Sequence, residues 1–257
     1  MSFTDRFGGV AGDYRRYRPR YPQALFDWLA AQCERRALAW DCACGNGQAT
    51  VGIAAHFRRV VATDASARQL AQAPRLANVD WRVAPAEASG LPDASADLVS
   101  VAQALHWLPL AAFHAEVERV LVGGGAYAVI RYGRLQIDAP AVEALVQHYY
   151  DDVVGPYWPP ERRTLDAGYR DLPLPYPLIA RPSFDMVARW QALDLLGYLR
   201  SWSATTAFIA ARAYDPLNAL APVLARAWPA GSSTVEIRWP LEVLLGRKPA
   251  SPPESSP

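Results

Sequence analysis

Lysine is nearly missing from this chain. Lys248 is the single lysine among 26 basic residues, and all the others are arginine. Arginine is the bidentate partner of phosphates and carboxylates, yet these arginines are scattered along the sequence. With 25 acidic residues the formal net charge is +1, which lacks the electrostatic footprint of a nucleic-acid or anionic-membrane partner. Cysteine is also scarce. Cys33, Cys42 and Cys44 make an odd count, and the spacing of the last two fits neither a zinc knuckle nor a dithiol redox motif. His56, His114 and His148 lie in helical patterns without a carboxylate or thiol at ligand spacing, so no metal site is expected. Met1 to Tyr14 carries Asp5, Arg6 and Asp13 and no apolar run of signal-peptide length, and no later stretch is apolar enough to span a bilayer. These absences point to a cytoplasmic protein with reduced thiols, a small-molecule substrate, and a monomeric or homodimeric state.

What is present is enough for one core with an added cap: 257 residues, 51% of them hydrophobic. The first half alternates short apolar runs with helical patterns, the rhythm of a parallel sheet covered by helices. A helix is expected over 23–36, then strands at 38–43, 60–63, 81–84, 97–102 and 126–132, with helices at 48–57, 66–73 and 111–122 between them. The triplet Gly123, Gly124 and Gly125 is expected to stop the last of these helices. The second half differs. Residues 139–153 read as helical, 155–182 are rich in Pro, Tyr and Trp without a period, and helices are expected near 191–201 and 204–226. The alternation of Val235, Ile237 and Trp239, continued by Leu241 and Val243, reads as a late strand. From residue 248 the chain is rich in Pro and Ser and reads as a disordered tail.

The strongest local signal is Asp41-Cys42-Ala43-Cys44-Gly45-Asn46-Gly47, placed where the first strand turns into its helix. Glycine there lets the backbone approach a ligand closely. Asp64 ends the second strand, seventeen positions after Gly47, close to the spacing expected of a carboxylate that holds ribose hydroxyls. Dinucleotide loops use three glycines to bring a helix terminus to pyrophosphate. Here Ala43 occupies the first glycine position and Asp41 precedes it, an acid that repels phosphate and suits a cationic aminoacyl group. The order favours S-adenosylmethionine over NAD.

On these residues the chain resembles the class I S-adenosylmethionine-dependent methyltransferases, in the type 11 group and its trans-aconitate methyltransferase-like branch, from about residue 7 to 247. Further motifs join the loop and Asp64-Ala-Ser: Ala86-Glu87 with Leu91-Pro92, Asp97-Leu-Val with Gln103-Ala-Leu-His-Trp107, and Glu118-Arg-Val-Leu. Later matches are Tyr157-Trp-Pro-Pro160, Leu199-Arg-Ser-Trp-Ser203 and Trp239-Pro-Leu241. The resemblance implies an α/β doubly wound, Rossmann-like, seven-stranded mostly parallel sheet with its last strand antiparallel. Its sixth and seventh strands are placed at 181–190 and 234–246. A lid (1–22), a methyltransferase domain (23–247) with cap insertions at about 139–180 and 191–228, and a tail (248–257) complete the expected organisation. The resemblance also implies that Asp41, Ala43, Cys44, Gly45, Asn46 and Gly47 wrap the cofactor, and that Asp64, with Ala65 beside it, accepts its ribose hydroxyls. Ala86 and Glu87 meet adenine; Gln103, followed by Ala104, lies by the methionyl group. The family loop usually has glycine where Ala43 stands, which an ordinary backbone conformation at that residue accommodates.

Methyl transfer from a sulfonium needs alignment, desolvation and, for some acceptors, a base. His106 and Trp107 follow the fourth strand at the ligand-binding edge of such sheets, and His106 is the candidate base or acceptor-orienting group. The run from Tyr14 through Tyr17 and Arg18 to Pro22 interleaves cations and aromatics as a lid does, with Arg18 able to pair with a carboxylate. Tyr14, Tyr17, Tyr132, Tyr157, Trp158, Trp202 and Tyr214 are candidates for an aromatic substrate wall. Transfer to O, N or C of a small metabolite, releasing S-adenosylhomocysteine, is the expected activity. A catalytically inactive cofactor-binding module and an NAD-dependent oxidoreductase are the rivals.

Overall fold

A computed structural model describes residues 19–250. Helix α1 (Gln23–Ala31) leads into β1 (Leu38–Cys42), α2 (Gln48–Ala54), β2 (Arg59–Asp64), the short α3 (Ala67–Leu70), β3 (Val79–Val83), β4 (Ala96–Ala102), α4 (Leu110–Val120) and β5 (Leu121–Tyr132). A short β6 (Gln136–Ile137) and α5 (Pro140–His148) follow, then α6 (Arg162–Asp166), β7 (Leu178–Ala180), β8 (Ser183–Trp190), α7 (Ala192–Arg200), α8 (Ser203–Arg212), α9 (Leu217–Ala227) and β9 (Val235–Arg247). The main path of the sheet runs β3-β2-β1-β4-β5-β9-β8, parallel from β3 to β5. β9 is antiparallel to both β5 and β8, with β6 continuing the β5 edge and β7 the β8 edge. This is the Rossmann-like sheet expected, its last strand reversed.

Strand alternation builds two cores, one on each face. Ala39, Leu98, Ala126, Ala128 and Ile130 point to the face covered by Leu25, Phe26 and Leu29 of α1 and Ile53 of α2. Trp40, Cys42, Val99, Val101, Tyr127 and Val129 point to the other, beneath Phe113 and Val117 of α4. Strands buried on both faces need continuous apolar runs, which is why these were visible in the sequence. Trp40 is completely buried, and its indole N–H donates to Thr63 Oγ1 at 2.9 Å.

Three expectations need correction. The glycine triplet does not stop α4. It lies inside β5, where the pairing with β4 skips from Leu121 to Ala126 and Gly124 adopts φ +79°. The 204–226 segment is two helices, broken where Ala213 takes φ +57° ahead of Pro216. Lys248, expected to begin a loose tail, donates from its backbone N–H to the Gly125 carbonyl at 3.0 Å and from Nζ to that of Leu121 at 3.1 Å. Among the described residues no helix is long and apolar enough to cross a membrane, and no cluster of ligating side chains could hold a metal.

Candidate active site

The strand order reverses between β1 and β4, and the crevice at their carboxyl ends is where such sheets bind ligands. Asp41 stands on β1 directly opposite Ser100 of β4. It is completely buried: Thr50 Oγ1 donates to its Oδ2 at 2.5 Å and Ser100 Oγ to its Oδ1 at 2.9 Å. Burial pushes its carboxyl up to about 6 against those two hydroxyls, with the Asp64 charge adding to the rise. Asp41 is thus a buried strut joining β1, α2 and β4, rather than an exposed counter-ion for an ammonium group.

The loop after it is held in an unusual conformation. Ala43, Gly45 and Gly47 have φ of +52°, +57° and +86°. The ordinary conformation anticipated for Ala43 is therefore wrong: the alanine occupies the left-handed region that favours glycine. A Cβ on Gly45 would meet only Gln69 Oε1, at 4.0 Å, so that face is open, whereas one on Gly47 would stand 2.4 Å from the Trp81 ring. Asp64 ties the loop to β2. Its Oδ2 accepts from Gly45 N–H at 2.8 Å and its Oδ1 from Ser66 N–H at 2.8 Å.

Of the six buried side-chain polar atoms without a hydrogen-bond partner among the described residues, two concern this edge: Asn46 Nδ2 in the loop, and Oε1 of Gln103 after β4. Gln103 also has a left-handed backbone (φ +55°), with its N–H donating to Ile130 O at 2.9 Å and Nε2 to Tyr132 O at 3.1 Å. An orphaned buried donor and acceptor mark a ligand position, since burial without a partner is costly. An open glycine face, an anchored carboxylate, and a buried donor and acceptor together fit an adenosyl cofactor with an amino-acid end.

Beside Gln103 opens a cleft with about 680 Å³ of empty space, counted out into the solvent at its mouth. His106, Trp107, Tyr132, Trp158 and Trp202 line it, and so do Tyr150, Arg134, Arg162 and Tyr198. His106 Nδ1 lies 2.7 Å from Tyr169 Oη. Burial, with the Arg162 charge second, pushes the imidazole down to about 3. The cap supplies the far wall: α5 runs into a π-helical turn at Tyr149–Val153 that buries both Tyr149 and Tyr150. Arg134 lies over the Tyr150 ring at 4.0 Å and Arg162 over the Trp158 ring at 4.8 Å.

A family model described as a methyltransferase domain, of the type 11 group, matches residues 40–129. A Dictyostelium discoideum protein bearing a methyltransferase name is 34% identical over 254 residues, which is 96% of each chain. This chain belongs to the class I S-adenosylmethionine-dependent methyltransferases. A solved structure from Anaeromyxobacter dehalogenans, a type II methyltransferase by name, superposes at TM-score 0.84 with 42% identity, covering 91% of this chain and 100% of that one. A Saccharomyces cerevisiae relative, named as an S-adenosylmethionine-dependent methyltransferase, is 29% identical over 171 residues, 61% of this chain and 58% of its own. Membership implies use of S-adenosylmethionine.

Within this methyltransferase the loop, Asp64, Gln103 and the His106–Trp107 turn converge on one sheet edge, with Ala86 buried and Glu87 exposed after β3. Two aromatic expectations do not meet them. Tyr157 packs on Phe208, with Arg212 Nε donating to its hydroxyl at 2.7 Å, and Tyr214 is 57% exposed against the same ring. Tyr14, Tyr17 and Arg18 lie outside the described residues. Tyr150, Arg162 and Tyr169 escaped the sequence reading because they come from a π-helical turn, a short helix and a left-handed position that carry no hydrophobic period, while Tyr198 lies in the expected helix α7, where nothing in the spacing set it apart.

Proposed function

We propose that this methyltransferase acts on a small metabolite carrying an anionic group, as its likeness to the trans-aconitate methyltransferase-like branch suggests. The observation that carries the reading is Arg162. The described lining of the cleft contains two arginines and no carboxylate. Both Nη groups of Arg134 already face carboxylates, Nη1 at 2.9 and 3.0 Å from the Asp151 oxygens and Nη2 at 3.8 Å from Asp166 Oδ2. Arg162 uses only Nε, which donates to Tyr150 Oη and Asp166 Oδ1, both at 3.1 Å. Its two Nη groups make no hydrogen bond among the described residues, so a planar fork faces an aromatic cleft ready for a carboxylate.

Bound S-adenosylmethionine supplies an electrophilic methyl on a cationic sulfur. The chain's own part is to hold, orient and dry the reactants. Asp64, fixed by two backbone N–H groups at the end of β2, stands where a carboxylate would accept from ribose hydroxyls. The open Gly45 face admits the cofactor's chain, Asn46 Nδ2 donates to its carboxylate, and Gln103 Oε1 accepts from its ammonium group. Ala86 and Glu87 border adenine. Trp107, Trp158 and Trp202 exclude water from the acceptor. Calorimetry with S-adenosylhomocysteine, then methyl-labelled cofactor incubated with a metabolite extract, tests this. Label in an acidic small molecule supports the reading. Cofactor binding without label in any small molecule favours the inactive module instead.

A further inference from the structure

The contact between His106 and Tyr169 is built at a conformational cost. Gly168 and Tyr169 are successive residues in the left-handed region, φ +74° and +56°. Glycine takes that region freely, but a bulky aromatic is an outlier there, and such outliers gather at functional sites. The outcome is a phenol, on a residue only 2% exposed, aimed at a histidine in the wall of the cleft.

The protons in this pair can be placed. Among the described residues the one hydrogen bond of the Tyr169 phenol is the one to His106 Nδ1, and Tyr169 is buried. If the phenol accepted from an Nδ1–H, its own proton would be buried without an acceptor, which is costly, so that proton points to Nδ1, 2.7 Å away. A neutral imidazole that accepts at Nδ1 carries its hydrogen on Nε2. The surroundings keep the ring neutral. Trp107 packs on it at 4.7 Å, Arg162 faces it from α6, and from β5 Tyr132 and Arg131 border the pair, the latter joined to Glu242 of β9 at 3.1 Å. The charge that bears on the ring is the Arg162 guanidinium, which disfavours an imidazolium.

We propose that Tyr169 is a positioning residue that locks His106 as its Nε2–H tautomer, so that His106 offers the cleft a hydrogen-bond donor and not a base. The Nδ1 lone pair is spent on the phenol and Nε2 already bears hydrogen, leaving the ring no site for a substrate proton. An acceptor in this cleft must therefore arrive deprotonated, as a carboxylate does, and the Nε2–H holds one of its oxygens beside the Arg162 fork. This deepens the methyl-transfer reading and rests on it for its purpose, although the tautomer itself does not depend on turnover.

Long-range ¹H–¹⁵N spectra of the ¹⁵N-labelled full chain test it directly. The chain has four histidines, and the pattern lost in His106→Gln identifies residue 106. The expected pattern is Nε2–H, unchanged between about pH 5 and 8. In Tyr169→Phe the single tautomer gives way to a mixture, while the other three histidines report that the fold persists. An Nδ1–H pattern in the wild type, titration of His106 in that range, or an unaltered pattern in Tyr169→Phe overturns the proposal. If Tyr169→Phe fails to fold, the wild-type spectra alone decide. A failed methylation assay beside the expected spectra sinks the proposed function and leaves the pair standing.

Discussion

Thr50 Oγ1 donates to Asp41 Oδ2 at 2.5 Å and thereby joins the first strand of the sheet to the helix that follows the cofactor loop. With Ser100 on the other oxygen, at 2.9 Å, Asp41 links three elements at the point where the strand order reverses. The loop conformation is carried on this buried junction.

The junction has a pH signature. Asp41 holds its proton up to about pH 6 when folded, against an ordinary carboxyl value of 3.8. Between those values the folded state binds the proton and the unfolded state does not, so Asp41 lowers stability as pH rises through that window. Asp41→Asn cannot titrate. The difference in urea unfolding free energy between wild type and variant should shift by about 2 kcal/mol from pH 4 to pH 7, in favour of the variant at the higher pH. A difference independent of pH would show that the carboxyl is not held protonated.

The three left-handed loop residues should respond differently to substitution. Ala43→Gly relieves a strained alanine while loosening the unfolded chain, so it should be neutral or stabilising by up to about 1 kcal/mol. Gly47→Ala drives a methyl to 2.4 Å from the Trp81 ring and should destabilise by about 2 kcal/mol or more. Gly45→Ala places its methyl in open space. Its folding cost should stay near 1 kcal/mol, with a much larger loss of S-adenosylhomocysteine affinity. Urea unfolding and calorimetry on the three proteins check the order. Equal affinity in Gly45→Ala and wild type would remove this face from the site.

The same contrast marks what the sequence could reveal. The strands were legible because Val60, Val61, Leu98 and Val99 are buried on both faces and form unbroken apolar runs. Asp64 was legible because its spacing from Gly47 is fixed by one helix and one strand. The backbone sign of residue 43 was not, since nothing in the letter Ala says that Cys44 N–H must reach the Thr63 carbonyl. The cleft's far wall was hidden for a different reason. Tyr150, Arg162 and Tyr169 are brought together by turns, each short and without period, and only their packing onto the sheet makes them neighbours.

Arg162 separates substrate recognition from cofactor binding. Once an acceptor is found by label transfer, Arg162→Met should raise its KM about 10- to 100-fold, the worth of a charge-assisted pair of hydrogen bonds. S-adenosylhomocysteine affinity should stay within about threefold of wild type, below 1 kcal/mol. Arg134→Met should do less to KM, because both Nη groups of that guanidinium already face carboxylates, whereas Arg162 meets Asp166 through Nε. An unchanged KM in Arg162→Met would show that the acceptor does not use the fork.

Asp64 has two possible duties, and they are separable. One is internal: its oxygens accept from Gly45 N–H and Ser66 N–H, so removing the carboxylate loosens the loop. The other is contact with ribose hydroxyls. Asp64→Ala should weaken S-adenosylhomocysteine binding about 10- to 100-fold, since hydrogen bonds to a charged group contribute about 1.5–3 kcal/mol. That loss alone does not choose between the duties. A 2′,3′-dideoxy analogue does, because it keeps everything the loop requires and lacks the hydroxyls. If the carboxylate accepts from the ribose, the wild type should lose affinity for the analogue about as much as Asp64→Ala loses for the natural ligand, and the variant should barely distinguish the two ligands. If Asp64 serves only the loop, both proteins should show the same ratio between ligands, and the coupling energy of the cycle should be near zero.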